Sequence, residues 1–319
     1  MRKNINKVTI NGYVYDISKL SIRTSGPNSK NPGTEFIMGD IQVAVDEEGL
    51  NVVPVHFNYT TGVYAKSGKV NNTFVAMKQM IEEPKTWLKD GKDEAYKVSI
   101  DCCLDVNDFV NSEGEMVAAP RVTGNFLSIV TNFGDDDHRN KFIADMIITR
   151  VTHVEADPER NIDKDFIRMS GCVFNYRNGI IPVEFTVRDP QGMEYFENLD
   201  ASGSNPVYHK VWGHIFNNTI KIERTEESAF GQAAVTTYER KSRDWCVDGA
   251  SKIPYDFDDE ETITADELTK AMQDREVYLA TVKKDHETYM ANRNMPKAAV
   301  SSAPQAAAAP TIKAGSFNF

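Results

Sequence analysis

The sequence reads VTINGYVY from Val8 to Tyr15, and it reads IRMSGCVF from Ile167 to Phe174. Without gaps, both stretches run aliphatic, polar, Ile or Met, Asn or Ser, Gly, variable, Val, aromatic. Such alternation predicts β-strands, and a central glycine lets a strand coil sharply or lets another backbone approach. We interpret the two stretches as the opening strands of two copies of one β-domain, although short strands drawn from few residue types can also match by chance.

Length and composition agree with two globular domains followed by a tail. The chain has 319 residues, of which 40% are hydrophobic, so it can build real cores. No apolar run approaches the roughly 18 residues of a membrane-spanning helix. The start, MRKNINKVTINGY, lacks the apolar stretch of a signal peptide. The four cysteines form no CxxC pair, which favours buried free thiols. We therefore expect a cytoplasmic protein without a membrane partner.

The first domain is expected over residues 1–155. Its alternating segments begin near Val8, Phe36 and Leu50, and NNTFVAMKQMIEEPKTWL then predicts a helix that ends near Glu82, before Pro84. A long hairpin follows, from AYKVSIDCC to NFLSIV. Three strands, a helix and a closing hairpin are the order of a five-stranded Greek-key barrel, the OB-fold. The predicted fold class is mainly β, with two tandem OB-like barrels.

The second domain is expected over residues 156–255, with a less regular pattern. Its five predicted strands are DFIRMSGCVFNY, IIPVEFTVRD, MEYFENLD, NPVYHKVWGHIFNNTIKIERTEE and AAVTTYERKSRDW. No helix of useful length is predicted here. The halves also share VVPVHF and IIPVEF, but their prolines follow the repeated glycine by 42 and by 11 residues, so this similarity is weak evidence for a repeat.

Beyond residue 255 the composition changes twice. Residues 256–295 hold an acidic run, DFDDEETITADE, and then a predicted amphipathic helix that Thr264 and Glu267 can begin as a capping box. Residues 296–319 are rich in Ala and Pro and end in SFNF, which is typical of a disordered, flexible tail. The helix and the tail are candidates for binding other proteins.

The sequence carries no pattern that indicates catalysis. It has no GxSxG, P-loop, HExxH or GxGxxG motif, and its six histidines are scattered. The stretch DDDH at Asp135–His138 is better explained as a solvated loop than as a cation site. We therefore predict no catalytic residue, metal or cofactor.

Aromatic and basic side chains that alternate along strands are the stronger theme. Rings presented by strands stack on bases of any sequence, and Lys or Arg beside them bind the phosphates. The net charge of −11 permits such binding without arguing for it. The candidate nucleic-acid-binding residues are Tyr13, Tyr15, Arg23, Lys30, Phe57, Tyr59, Tyr64, Lys66, Arg121, Phe126, Phe174, Tyr176, Arg177, Lys210 and Trp212.

In its order of elements, the chain resembles bacterial and phage single-stranded DNA-binding proteins of the OB-fold type. KVTINGYVY, TEFIMGDIQVAV and NVVPVHFNY are similar to that family's first three strands, and the hairpin that begins at YKVSIDCC is similar to its closing hairpin. The resemblance implies sequence-independent binding of single-stranded DNA in phage replication or recombination. It also implies that replication or recombination proteins bind the acidic segment and the tail, with Phe317 and Phe319 as contacts. The family's acidic tip is absent here, since the last acidic residue is Glu287.

Two other functions fit the same pattern. The chain could be a phage virion or assembly protein whose two β-domains dock a partner through the C-terminal helix. It could also be an accessory factor for a nuclease or recombinase. Stable self-association through the helix without DNA affinity favours the first of these, and tight binding of one protein with weak DNA affinity favours the second.

Overall fold

The computed structural model describes residues 4–64, 67–133, 139–157, 162–226, 234–257, 259 and 261–294. The described part of the first half contains β1 (Asn6–Asp16), β2 (Ser21–Thr24), β3 (Glu35–Ala44), β4 (Val52–Thr61), α1 (Asn72–Glu82), α2 (Trp87–Asp90), β5 (Lys97–Val110) and β6 (Met116–Val130). The remainder contains β7 (Lys141–Val154), β8 (Phe166–Phe174), β9 (Ile180–Val187), α3 (Pro190–Glu197), β10 (Val207–Glu226), β11 (Ala234–Ala250) and α4 (Ala265–Asn294). The mainly β class predicted from the sequence is confirmed.

Five strands of the first half close into a ring, which we call ring 1. The antiparallel pairs β1–β3, β3–β4, β5–β6 and β1–β5 are completed by a parallel pair, in which Val55 of β4 lies opposite Val122 of β6. The helix α1 follows the third ring strand, and Asn71 caps it by accepting the Thr73 N–H at 3.1 Å. This is the OB-like strand order expected from the sequence, with its helix in the expected place.

The second half closes in the same order, and we call it ring 2. Its antiparallel pairs β7–β8, β8–β9, β10–β11 and β7–β10 are completed by β9 and β11, which run parallel where Thr186 lies opposite Cys246. Residues 166–174 are therefore the second strand of ring 2, and the prediction that they open it was wrong. The opening strand is β7, which lies before residue 155 but pairs with β8 and β10.

Ring 2 also has a helix between its third and fourth strands, where the sequence predicted a strand. Pro190 starts α3, and the Asp189 carboxylate accepts the Gly192 N–H at 2.8 Å. An acidic N-cap followed by proline at the first helical position is a helix-start signal. The helix-start signal therefore prevails over the apparent strand alternation in MEYFENLD. The helix places Phe196 on its buried face.

The two repeated glycines, Gly12 and Gly171, each allow a close approach of two strands, but they lie on different strands of their rings. A Cβ on Gly12 of β1 would lie 2.2 Å from the Ala44 carbonyl oxygen of β3, and a Cβ on Gly171 of β8 would lie 2.0 Å from that of Ile147 of β7. Both glycines therefore let the first and second strands of a ring approach closely. VVPVHF and IIPVEF, which were the weaker evidence for a repeat, do occupy equivalent positions. VVPVHF lies in β4, the third strand of ring 1, and IIPVEF lies in β9, the third strand of ring 2.

The two rings pack against each other. β1 pairs with β7, and one hydrophobic core contains buried residues of both rings. The side-chain amides of Asn51 and Asn140 both donate to the Ile215 carbonyl, at 3.1 and 2.7 Å, and the Asn217 N–H donates to the Asn51 amide oxygen at 2.9 Å. The two bonds of Asn51, which directly precedes β4, join ring 1 to β10 of ring 2 and help to hold the rings in one arrangement.

The predicted C-terminal helix is present as α4. Glu267 accepts the Thr264 N–H at 3.1 Å, and Thr264 accepts the Glu267 N–H at 3.3 Å, which is the expected capping box. Its first turns pack on ring 2, and Arg275 pairs with Asp108 of β5 at 2.7 Å. Among the described residues, no helix is long and apolar enough to cross a membrane. The predicted tail over 296–319, with Phe317 and Phe319, lies outside the described residues.

Candidate nucleic-acid interface

An open groove of 1170 Å³ lies on the outer face of ring 2. It is lined by β8, β9, β11, α3 and the residues that lead into β8. Arg168 is exposed in β8, whereas its neighbours Ile167 and Met169 are fully buried. Glu184 and Arg188 are likewise exposed next to the buried Phe185 and Val187, so strand alternation directs these charged side chains into the groove.

Arg188 is fixed from two sides. Its guanidinium pairs with the Asp244 carboxylate of β11 at 2.8 Å and lies 4.8 Å from the centre of the Phe166 ring. The Thr186 hydroxyl donates to the other oxygen of Asp244. The carboxylate and the aromatic face together favour one orientation of the planar guanidinium, and Asp244 engages only some of its N–H donors.

Arg168 is held more loosely. It pairs with Glu184 across the β8–β9 ladder at 3.1 Å, and both side chains are about half exposed. Its guanidinium carbon lies 6.0 Å from the Phe166 ring, so two arginines flank one buried ring. The pair is exposed enough for solvent to screen it, and its coupling is therefore weak.

A smaller cleft of 430 Å³ continues the groove between the rings. Pro120, Arg243 and Trp245 line both cavities, and Arg243 of β11 donates to the Pro120 carbonyl of β6 at 2.8 Å. The two cavities therefore adjoin at Arg243, one on the outer face of ring 2 and the other reaching ring 1, and we refer to them together as the channel.

The ring 1 end of the channel repeats the arrangement around Arg188. Arg121 pairs with Asp105 of β5 at 2.7 Å, and the Thr123 hydroxyl donates to the same carboxylate at 2.8 Å. Nearby, the His56 imidazole is 2.7 Å from Asp40, and this hydrogen bond lowers the pKa of the Asp40 carboxyl. Asp40 is thus ionised at neutral pH, and both ends of the channel present arginines next to carboxylates.

The sequence-predicted site residues separate by burial. Tyr13, Phe57 and Phe174 are 8%, 1% and 1% exposed, so their rings are part of the core and offer no face to a base. Tyr15, Lys210 and Trp212 are half-buried, and Arg121 is the member of the predicted set that lines the channel. Lys66 lies outside the described residues.

The exposed predicted residues lie in separate patches. The Tyr59 ring is 4.3 Å from the Phe36 ring, and Phe36 is opposite Arg23 in the β2–β3 ladder. Tyr176 is 84% exposed in the turn after β8, with the Arg177 guanidinium 5.1 Å from its ring. Three further predicted residues are exposed elsewhere on ring 1: Lys30, Tyr64 and Phe126.

Sequence reasoning missed the arginines of ring 2. Arg168, Arg188 and Arg243 stand in IRMSG, TVRDP and SRDW, which were interpreted only as strand segments. The alternation of buried and charged positions in β8 and β9 was the signal that could have found the first two. Arg243 could not be placed in this way, because its role depends on the approach of Pro120 from ring 1.

The described residues contain no group of three or more His, Cys, Asp or Glu side chains placed to hold a metal ion. The stretch Asp135–His138 is outside the described residues. All four cysteines are free, and burial raises the pKa of the Cys172 thiol to about 12. A thiol with that pKa is not a nucleophile at neutral pH.

Comparison with known proteins gives structural similarities and a family. The fold is similar to the crystal structure of a deletion mutant of the single-stranded DNA-binding protein from Thermus aquaticus, with 13% sequence identity and a TM-score of 0.46 over 82% of this chain and 100% of that chain. No curated protein matches the sequence. Residues 4–285 match the YorF family. Because that match spans most of the sequence, the chain belongs to the YorF family.

Proposed function

We propose that this chain binds single-stranded DNA without reading its sequence, along the channel from the outer face of ring 2 to ring 1. Arg168, Arg188, Arg243 and Arg121 would contact the phosphates. The exposed aromatic side chains of Tyr59 and Tyr176, which lie in patches outside the channel, would stack on bases of the same strand.

The observation that carries this proposal is the position of the arginines. OB-folds bind oligonucleotides on the face of their second and third strands and on the adjoining loops. In ring 2 that face is β8 and β9, which hold Arg168 and lead into Arg188. An arginine has five N–H donors and a carboxylate engages two of them, so a paired arginine can still bind a phosphate.

Charge in the groove favours single strands over duplex DNA. The lining of the ring 2 groove has four basic side chains and four carboxylates, so its field is nearly balanced: Lys164, Arg168, Arg188 and Arg243 against Asp163, Asp165, Glu184 and Asp244. Duplex DNA carries one charge per roughly 1.7 Å of axis, about twice the density of one strand. A groove without net positive charge therefore lacks the extra attraction that a basic groove would exert on the more highly charged duplex.

The wider role of the chain is part of the same proposal. Two OB-like units, built on ring 1 and ring 2, would protect single strands during phage DNA replication or recombination in the cytoplasm of a bacterial host. The acidic residues that precede α4, together with the tail that holds Phe317 and Phe319, would bind replication or recombination proteins. The resemblance in element order supports this role, and the acidic run DFDDEETITADE supports a basic partner surface.

Fluorescence anisotropy of a labelled dT oligomer of about 30 nucleotides tests where the strand binds. Arg188→Gln and Arg168→Gln should each weaken binding and reduce the slope of log K against log salt by less than the roughly 0.7 of an unpaired contact, because each arginine is paired with a carboxylate. Arg293→Gln on α4, outside the channel, is the control and should bind like wild type. If the groove variants and the control bind equally, the strand does not follow this channel. If wild type binds no DNA at all, docking of a protein partner through α4 becomes the better explanation.

A further inference from the structure

Each channel arginine that we assign to phosphate contact, apart from Arg243, is paired with a carboxylate on a neighbouring strand. Arg168 pairs with Glu184, Arg188 with Asp244, and Arg121 with Asp105. The arrangement recurs in both rings, and in two cases a threonine two residues from the arginine donates to the same carboxylate. One threonine precedes its arginine and the other follows, so the recurrence is one of chemistry and not of local sequence.

We propose that these three carboxylates limit the affinity of the channel and set its preference for single strands, an inference that rests on the proposed function. A carboxylate next to an arginine already balances its charge. A phosphate that arrives there therefore gains less attraction and displaces fewer counterions than it would at an unpaired arginine. It also meets the negative charge of the carboxylate, and this repulsion increases with the charge density of the ligand.

A compensating benefit accompanies this cost in affinity. The carboxylates hold the guanidinium planes in place before the ligand arrives, so little side-chain entropy is lost on binding. Removal of a carboxylate should consequently raise affinity and lower discrimination. The amide variants Glu184→Gln and Asp244→Asn remove the charge and keep the side-chain size, so the packing around them is preserved.

The test compares these variants with Asp248→Asn at pH 8. Asp248 is on β11, four residues after Asp244, but its partner is His214 and it does not line the channel. Each variant would be titrated against labelled dT oligomer and against the matched duplex over a range of salt. Glu184 is half exposed, so Glu184→Gln should fold even if Asp244→Asn is destabilised.

We expect Glu184→Gln and Asp244→Asn to bind the dT oligomer roughly two- to fivefold more tightly than wild type. The salt slope should steepen by about 0.7 for each arginine released. The affinity of both variants for the duplex should rise by a larger factor than their affinity for the oligomer. Asp248→Asn should change both affinities by less than the groove variants do. If wild type binds the oligomer and all three variants match it in affinity and slope, the inference is wrong while the proposed function stands. If none of the proteins binds at any salt concentration, both are wrong.

Discussion

Neighbouring aromatic residues on one strand have opposite roles. On β4, Phe57 is 1% exposed and its ring lies against Gly124, where an added Cβ would come within 2.4 Å of it. Tyr59, two residues later, is 48% exposed and contacts Phe36. The position of an aromatic residue within ring 1, and not its residue type, therefore decides whether its side chain stabilises the fold or is available to a ligand.

Substitution of these two rings should separate stability from binding. Phe57→Ala should lower the free energy of unfolding by about 3–5 kcal/mol, because it leaves a cavity in the core. Tyr59→Ala should leave stability nearly unchanged and weaken dT binding by about 1–3 kcal/mol. Urea unfolding and anisotropy on both variants check this, and a Tyr59→Ala protein that is unstable yet binds normally would contradict it.

A histidine at the edge of the ring 2 groove should make stability depend on pH. His153 Nδ1 is 2.7 Å from Glu197 of α3, and His153 Nε2 is 3.6 Å from Asp165, which lines the groove. The hydrogen bond with Glu197 raises the pKa of His153 above its usual 6.5. The protonated form is favoured in the fold, so its contribution is present below pH 6.5 and is lost as pH rises through the folded-state pKa.

This prediction is checked by an NMR titration of the His153 ring protons. The midpoint should lie above 6.5 in wild type and should fall in Glu197→Gln, which cannot accept a charge-assisted bond. Equal midpoints in the two proteins would show that Glu197 does not set the pKa of His153.

At the scale of elements, the crossing of the first two strands in each ring depends on a glycine. Gly12→Ala would place a methyl group 2.2 Å from the backbone oxygen of Ala44, which cannot rotate away as a side chain would. We expect a loss of about 1–3 kcal/mol in the free energy of unfolding. Gly26→Ala is the matched control, because nothing lies within 4 Å of its added Cβ. If both substitutions cost the same in urea unfolding, the close approach of β1 and β3 does not require glycine.

Elements with local signals were predictable, and elements defined by distant contacts were not. The capping box at Thr264 follows from neighbouring residues, and the ring 1 strand order follows from the succession of elements along the chain. The opening strand β7 was missed because IADMIITRV has no glycine to match Gly12, and ring 2 places its glycine on the partner strand instead. Either of the two strands that approach closely can carry the glycine, and a single sequence does not show which of them does.

The candidate site shows the same limit more strongly. Arg121 was predicted from its strand, but the channel exists only because β6 of ring 1 meets β11 of ring 2 at Pro120 and Arg243. The predicted rings of Tyr13, Phe57 and Phe174 are in the core because each strand has two apolar faces and only tertiary packing determines which one is inside.

At the scale of the whole molecule, ring 1 and ring 2 share one hydrophobic core, and the two cavities that make up the channel adjoin at Arg243. Four arginines, Arg121, Arg168, Arg188 and Arg243, line that channel, so the net charge of −11 does not by itself exclude the proposed binding of DNA. The run from Asp256 to Glu267 holds seven acidic residues and no basic one, and in the proposed function it would contact a basic partner surface. Single-strand binding is therefore expected to be moderate in strength and sensitive to salt.

The most direct test of this account is the binding of the unmodified full-length protein to labelled dT of about 30 nucleotides and to the matched duplex, at low and at moderate salt. The account predicts binding that is tighter to the single strand than to the duplex and that weakens as salt rises. Equal affinity for the two ligands, binding that does not change with salt, or no binding at low salt would contradict it.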